Sequence, residues 1–393
     1  MSAPDRLRVL VLAHAYPRFP GDPVGSFIHN LAVALRDEGV DAVVVAPGAP
    51  GVPSLDVIDG IPVHRFRYAP RRFETLAYTG TMSAQVSAGV LGKGRLAAFL
   101  VAEWWVSARV ARQVRAHVVH AHWWFPGGLV ARLLRRKPGL PYIVTLHGSD
   151  IRLAAASALG RRLFRAVAGR SAAMTAVSSW LARGAQAIVP GTPVVVAPMP
   201  VLTDLFFPGD SREPGRLLFI GKLSAQKGLD RLLRAMAAMR QPARLTVVGA
   251  GRVADAHFRD LANVLGLAHK IEWLPLLSQQ DLAIQYRRAA LHVIPALDEG
   301  LGLTAVEALL SETPVVAFDS GGVPDVVLHG RTGLLVPPGD ERAFAEAIDA
   351  LLSDDVRRGA MGRDGRAHAL ATFGARAVAS RYARLLREVA MGQ

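Results

Sequence analysis

The chain has 393 residues, with 46 Lys and Arg against 32 Asp and Glu for a formal charge of +14, and only 7% aromatic and 20% charged residues. At roughly 100 to 200 residues per domain, this length predicts two domains and excludes a small disulfide-stapled scaffold, and the composition is that of a globular chain, not a disordered basic tail. With no cysteine, disulfides, thiolate catalysis and thiolate zinc sites are ruled out. The charge is uneven: residues 1–206 hold 23 basic and 11 acidic residues, and residues 207–393 hold 23 and 21. A basic first half predicts an anionic partner there, whether a membrane surface, a nucleic acid or a phosphorylated substrate.

In chain order, the first apolar run reads as a strand with no small-residue cleavage site behind it, so no secretion signal is expected. Runs rich in Val, Ile and Leu follow at RVLVLAH (8–14), DAVVVAP (41–47), HVVHAH (117–122), YIVTLHG (142–148), MTAVS (174–178) and VVVAPM (194–199), with amphipathic, helix-length stretches between them. After the turn-rich FPGDSREPG (207–215) come RLLFIG (216–221), RLTVVG (244–249), KIEWLP (270–275), LHVIP (291–295), PVVAF (314–318) and GLLVPP (333–338). Runs apolar on both faces and alternating with helices predict parallel strands covered on each side, so the fold class is α/β with two doubly wound domains. The boundary is expected near 205–215, giving domains 1–206 and 207–393, the second including a helical, Arg/Ala-rich tail. Leu96 to Val106 is shorter than the roughly 20 apolar residues of a membrane span and is interrupted by Glu103, so an integral membrane protein is not expected.

Ligands of such sheets lie beyond the carboxyl ends of strands. This selects His14, His122, His147 to Asp150, Gly221 to Lys227, Gly249 to Gly251 and Pro295 to Glu307. In residues 295–340, Glu299 and Glu307 are separated by seven residues, with Gly300 and Gly302 ahead of a helix expected to start near Thr304. Glycines before a helix N-terminus let amides approach an anion, which suits a diphosphate. Glu299 is placed to accept hydrogen bonds from sugar hydroxyls and Glu307 from ribose. The competing reading of Glu307 is a T-x-x-E capping box closed on Thr304.

This stretch resembles the glutamate-seven-residues-glutamate signature of the retaining nucleotide-sugar glycosyltransferases of family 4, whose GT-B architecture has two facing Rossmann-like domains. FIGKLSAQKGLD (219–230) resembles the family's basic pair, here Lys222 and Lys227, and GVPDVVLHGRTGLLVPPGD resembles its donor domain. The resemblance implies that Gly25, Ser26, Gly221, Lys222, Gly300, Leu301, Gly302, Leu303, Thr304 and Glu307 bind the donor, and that Glu299 and Lys227 are catalytic. HVVHAHWWFPGGLVARLL and YIVTLHGSD resemble a bacterial surface-polysaccharide subgroup, implying that His147 is catalytic beside the reacting sugar and that His122 and Asp150 face the acceptor. Two departures are Lys222 where the family usually has Arg, which loses bidentate phosphate geometry, and Glu312 where it usually has Gly, which would cost on the order of 1 kcal/mol in a left-handed C′ position.

His120 and His122 are read as alternating on their strand and pointing to opposite faces, which discounts a two-histidine metal centre, and no metal and no cofactor are expected. VVGAGRVA (247–254), with Glu272 about twenty residues on, also matches a dinucleotide fingerprint and leaves a dehydrogenase as a competing class. From Arg65 to Arg115, nine basic residues face only Glu74 and Glu103, interleaved with Phe66, Tyr68, Phe73, Tyr78, Phe99, Trp104 and Trp105. That segment suits an anionic lipid interface, or alternatively a buried helix with a basic rim. Nucleic acid is not expected as a partner, since no zinc-finger, RRM, KH or helix-turn-helix signature is present.

The resemblance therefore implies a metal-independent, retaining glycosyltransferase, peripheral on the cytoplasmic face of the membrane. It would move a sugar from a nucleoside-diphosphate sugar, UDP favoured, to a glycan or lipid-linked acceptor in surface polysaccharide or glycoconjugate synthesis. A nucleotide-sugar epimerase and a non-catalytic glycan-binding protein remain alternatives.

Overall fold

Each of those apolar runs is a strand in the structure, a computed structural model that describes residues 6–78, 82–136, 139–210, 212–249 and 256–392. The chain divides into two units, Met1–Pro200 with Ala375–Gln393, and Val201–Gly374.

The first unit holds β1 (Leu7–Leu12), β2 (Val40–Pro47), β3 (Leu55–Ile58), β4 (Ile61–Phe66), β5 (Val118–His122), β6 (Tyr142–Leu146), β7 (Ala173–Ala176) and β8 (Val194–Val196). They form one sheet in the order β3-β4-β2-β1-β5-β6-β7-β8, in which only β3 is antiparallel to its neighbour. Every residue of β5 and β6 is buried, because helices cover both faces: α1 (Ser26–Asp37), α2 (Met82–Ser87), α3 (Val90–Gln113), α4 (Leu129–Leu134), α5 (Ser149–Ala155), α6 (Ala158–Ala168) and α7 (Ser179–Ile188). The β3–β4 hairpin is not among the strands expected from the sequence. Its turn, Asp59–Gly60, has φ of 48° and 79°, the Asp-Gly chemistry that two-residue hairpins require.

The second unit is a six-stranded, fully parallel sheet in the order β11-β10-β9-β12-β13-β14, made of β9 (Arg216–Ile220), β10 (Arg244–Val248), β11 (Ile271–Leu274), β12 (Leu291–Ile294), β13 (Val315–Phe318) and β14 (Gly333–Val336). Its helices are α8 (Leu229–Ala237), α9 (Ala256–Val264), α10 (Gln279–Arg288), α11 (Leu303–Leu310), α12 (Glu341–Leu352) and α13 (Asp355–Phe373). Leu217, Phe219, Leu232, Leu233, Val316, Phe318, Phe344 and Ile348 are part of one buried core. In each sheet the winding reverses at one place, between β1 and β5 and between β9 and β12, and this is where a doubly wound sheet opens a crevice.

The expectation that the whole helical tail belongs to the second domain is corrected. The last helix, α14 (Ala375–Met391), packs on the first unit: Val378, Ala379, Tyr382, Ala383 and Leu386 are buried, and the Tyr382 hydroxyl donates to the Ala197 carbonyl at 2.9 Å. Its apolar stripe needs a surface to cover, and the sequence does not say which. The unit boundary moves with it. The first unit carries 27 basic and 11 acidic residues and the second 19 and 21.

Glu103 of α3 is fully buried, and neither carboxylate oxygen has a hydrogen-bond partner among the described residues. Burial raises its pKa to about 8 from an ordinary value near 4.5. A folded-state pKa above the unfolded one means stability is full below the unfolded value and falls as pH rises to the folded one. Chemical denaturation should therefore show a loss of roughly 4 kcal/mol between about pH 4.5 and 8 that is absent in Glu103→Gln. Parallel pH profiles for the two proteins would show the carboxyl is not buried in this way.

Candidate functional site

Both winding reversals carry chemistry-bearing side chains. In the second unit, β9 runs into Gly221 and Lys222 and β12 into residues 295–302. The two loops are locked together by backbone. Gly228, with φ of 73°, caps α8 where a Cβ would meet the Pro295 carbonyl oxygen at 2.2 Å; the Leu297 amide donates to the Gln226 carbonyl at 3.0 Å, and the Gln226 side-chain amide donates to the Asp298 carbonyl at 3.1 Å. From the other side, Gly321, with φ of 64°, lies so close to Glu299 that a Cβ would meet its carbonyl oxygen at 2.3 Å. The Gly322 amide donates to that carbonyl at 2.7 Å, and the Ser320 hydroxyl accepts from the Asp298 amide at 3.0 Å.

Held in this clasp, the Glu299 carboxylate accepts a hydrogen bond from the Lys227 ammonium at 2.6 Å, with both side chains partly buried. The two residues stand 72 apart in sequence. Lys227 also lies along Gly221, where a Cβ would touch its aliphatic stem at 3.4 Å. Lys222, by contrast, is exposed and is not brought to the carboxylate.

Gly302, at φ 88°, is the N-cap of α11, so the helix starts at Leu303, one residue before Thr304 and close to where it is expected. The amides of Leu303 and Thr304 have no acceptor among the described residues, and Gly300 and Leu301 lead into this N-terminus. Free N–H groups and the helix dipole together favour an anion. The capping-box reading of Glu307 is overturned: Thr304 is inside the helix, and the Glu307 carboxylate accepts instead from the Tyr286 hydroxyl at 2.7 Å. Burial raises Glu307 to about pH 7, an effect the Tyr286 hydrogen bond opposes. At the other end, Glu312 has φ of 54°, the strained position expected for it, inside a Schellman pattern: Thr313 N–H to Ala308 O at 2.8 Å and Glu312 N–H to Leu309 O at 3.0 Å. Arg212 helps to hold it, donating to the Ser311 and Glu312 carbonyls at 3.2 and 3.1 Å.

In the first unit, Gly25 has φ of 70° and caps α1 so close to the end of β1 that a Cβ would meet the Ala15 carbonyl oxygen at 2.3 Å; Ser26 is the first residue of that helix. Nearby stands a cluster that sequence reasoning only half identifies. The Trp123 ring lies 4.2 Å from His14 and 4.6 Å from His147, and Phe27 lies 5.1 Å from His147. Trp123 is absent from the sequence-derived candidates although it directly follows β5. Its φ of 65° is a strained value for a non-glycine residue, of the kind that concentrates at functional sites.

His122 Nδ1 is 2.9 Å from His147 Nε2. The expectation that His120 and His122 point to opposite faces is wrong: two residues are one full strand period, and their ring centroids lie 4.2 Å apart on the same face. The reason for discounting a paired-histidine centre falls with it. Among the described residues, no group of three His, Asp or Glu side chains is placed to hold a metal ion.

Burial lowers His14 to about pH 4 and His120 to about 3, and holds His122 and His147 well below the ordinary imidazole value, so all four are neutral at pH 7. Of the two residues expected on the acceptor side, His122 and Asp150, the second lines a cavity together with His14 and Trp123. Both His122 and Asp150 are buried, and the Asp150 carboxylate accepts from the amides of His147 at 2.6 Å, Trp124 at 3.1 Å and Gly148 at 3.3 Å. Burial nevertheless raises it to about pH 6. Through those hydrogen bonds Asp150 positions the backbone on both sides of His147 and just after Trp123.

The dinucleotide reading loses its acidic residue. Glu272 is bound to Arg216 Nη2 at 2.7 Å and to the Thr246 hydroxyl at 3.2 Å, toward the amino ends of the strands; residues 250–255 of that motif lie outside the described residues.

The family description "Glycosyl transferases group 1" matches residues 214–354, and "Glycosyl transferase 4-like domain" matches residues 24–200. Among similar curated proteins, a D-inositol 3-phosphate glycosyltransferase of Geodermatophilus obscurus is 34% identical over 331 residues, covering 74% of this chain and 72% of its own. One from Catenulispora acidiphila is 29% identical over 407 residues, covering 92% and 90%. Of solved structures, sucrose-phosphate synthase from Thermosynechococcus elongatus superposes with a TM-score of 0.83 at 22% identity, covering 99% of this chain and 100% of its own. Anabaena Alr3699/HepE in complex with UDP-glucose gives 0.70 at 16% identity, covering 98% and 100%.

If the Gly321 clasp sets the Glu299 loop, Gly321→Ala should lower stability by about 1–3 kcal/mol through the left-handed backbone and the overlap with Glu299. Thermal unfolding beside the exposed Gly339→Ala, whose added Cβ meets nothing within 4 Å, separates the clash from the shared cost of a positive φ. Equal losses in the two proteins would remove the clasp.

Proposed function

Because this chain belongs to the glycosyl transferases group 1 family and is a glycosyltransferase, we propose that it is a retaining, metal-independent hexosyltransferase acting on a nucleoside-diphosphate sugar, UDP-linked in the first instance. Its acceptor is a hydroxyl of a glycan or lipid-linked molecule in surface polysaccharide or glycoconjugate synthesis. The observation that carries the reading is the Lys227–Glu299 pair at the winding reversal of the second sheet, beside the free amides that open α11.

In this reading the diphosphate settles on the α11 N-terminus and draws the Lys227 ammonium toward it. As the glycosidic C–O bond breaks, negative charge grows on the leaving phosphate oxygen, where a fixed ammonium and oriented amides stabilise it most. Glu299, released from part of its contact with Lys227, accepts from the transferred sugar's hydroxyls, and Glu307, oriented by Tyr286, accepts from the ribose. Lys222 is placed to add long-range attraction for the diphosphate. His147, a neutral imidazole oriented by His122, is the catalytic candidate of the first unit, with ring and carbonyl lone pairs that can face developing positive charge without adding any of its own. Retention follows if the departing phosphate oxygen takes the proton of an acceptor hydroxyl attacking from the same face. The UDP-glucose bound by Anabaena Alr3699/HepE supports a UDP donor. The names of the curated relatives make an inositol phosphate the second acceptor to try.

Lys227→Ala and Glu299→Ala should each lower kcat by about two orders of magnitude or more while leaving the unfolding temperature nearly unchanged; near-native rates would remove both from the site. Calorimetry with UDP-, GDP- and ADP-sugars, then product analysis with the tightest donor against a lipid-linked and an inositol phosphate acceptor, fixes donor and acceptor. The anomeric configuration of the product tests retention.

The Glu307 carboxylate accepts ribose hydrogen bonds more strongly when it is ionised. Donor affinity should therefore fall as pH drops through about 7, and the dependence should flatten in Glu307→Gln. A pH-independent donor affinity in the native protein would remove Glu307 from the ribose.

A further inference from the structure

α3 is a 24-residue helix, about 36 Å long, whose inner side chains Phe99, Glu103, Ser107, Val110 and Ala111 are buried among the helices and strands of the first unit. Its outer face is apolar as well: Val90 is 84% exposed, Leu91 80%, Val101 65% and Trp105 57%, with Ala97 and Ala98 exposed between them. An amphipathic helix that only covered a sheet would turn polar residues outward, so this face has an unmet apolar surface.

The charges on it are of one sign. Lys93, Arg109 and Arg112 are exposed, the Arg109 guanidinium stands 6.0 Å from the Trp105 ring, and the helix's one acid, Glu103, is turned inward. Beside it, Arg72 and Arg95 lie over the Phe73 ring at 4.8 and 5.3 Å, a second pairing of aromatic and cation. No described helix is long and apolar enough to cross a membrane.

We propose that the outer face of α3, flanked by Phe73, is a docking surface for a bilayer rich in anionic glycerophospholipid. It rests on the peripheral-membrane part of the function proposed above and gives that part a location. Trp105, Val101, Leu91 and Val90 enter the boundary between headgroups and acyl chains, and Lys93, Arg109 and Arg112 meet the lipid phosphates. Charge complementarity selects lipid over a second copy of the chain, since two such faces would set cation against cation with no acid to answer either. The same helix contributes Leu96 to a cavity of about 780 Å³ lined by Met82, Val86, Trp123, Phe125 and Leu159, which gives an acceptor's apolar chain a wall to follow out of the bilayer.

The test is flotation of the full chain with phosphatidylcholine vesicles made with and without phosphatidylglycerol, at low and high salt. The native protein should float with the anionic vesicles only, less so at high salt. Val101→Glu with Trp105→Glu should lower partitioning at least tenfold, whereas Val264→Glu, an exposed apolar residue of the second unit, should not change it. The milder set Lys93→Gln, Arg109→Gln and Arg112→Gln should abolish the preference for anionic lipid, and it covers the case in which the double glutamate variant unfolds. Failure of the native protein to float, or equal flotation of every variant, overturns the docking surface. So does a dimer in gel filtration that the same variants disperse, since a second copy would then be the occupant. Donor calorimetry on these proteins keeps the two ideas apart: intact donor binding without flotation sinks the surface alone, and flotation without donor binding sinks the proposed function alone.

Discussion

Backbone packed directly on backbone, where no Cβ can intervene, holds the loops at the carboxyl edges of both sheets. Parallel strands buried on both faces can present polar groups only at their ends, so the loops there must carry the chemistry and still be rigid. Gly25 against Ala15, Gly228 against Pro295 and Gly321 against Glu299 bring segments distant in sequence within a distance that only glycine permits. The Lys227–Glu299 ion pair is a consequence of this. Its two loops are already fixed through main-chain atoms, so the side chains meet without the full entropic cost that weakens an ordinary surface pair.

The two units solve the problem of polar groups at a strand end differently. In the second, the Lys227–Glu299 ion pair stands beside helix amides that have no acceptor among the described residues. In the first, desolvation keeps four imidazoles neutral and a carboxylate is satisfied by three main-chain amides, so the strand ends around Trp123 are polar but carry little charge. The first unit's excess of basic residues lies elsewhere, in large part on exposed helices such as α3.

The strands are legible in the sequence because a run of Val, Ile and Leu suits a parallel strand buried on both faces and little else, and their ends lead to Lys227, Glu299, Glu307 and His147. The β3–β4 hairpin is legible too, through Asp59–Gly60, but its strands are short and mix polar with apolar residues. The face shared by His120 and His122 follows from strand periodicity, against the expectation drawn for it. The partner of α14 is not available, since an amphipathic stripe demands a surface without naming it. Nor is the inward turn of Glu103, because a lone acid in an apolar run is ordinarily the exposed residue. Tyr286 as the partner of Glu307, and Ser320 and Gly321 as the clasp on Glu299, depend on long-range packing with no local spacing rule.

The return of α14 to the first unit makes the second an insertion within it. The insertion is closed at its base, where the Val201 amide donates to the Phe373 carbonyl at 3.2 Å and Val201 bridges Gly374. During synthesis the whole of Val201–Gly374 is made before the helix that covers His120 and bonds Ala197 exists. The inserted unit has all its strands and core residues in one continuous segment and can close first. The unit begun earlier has its whole sheet by Val196 but cannot cover the α14 surface until the inserted unit has been made, so the first sheet to start is the last to be completed.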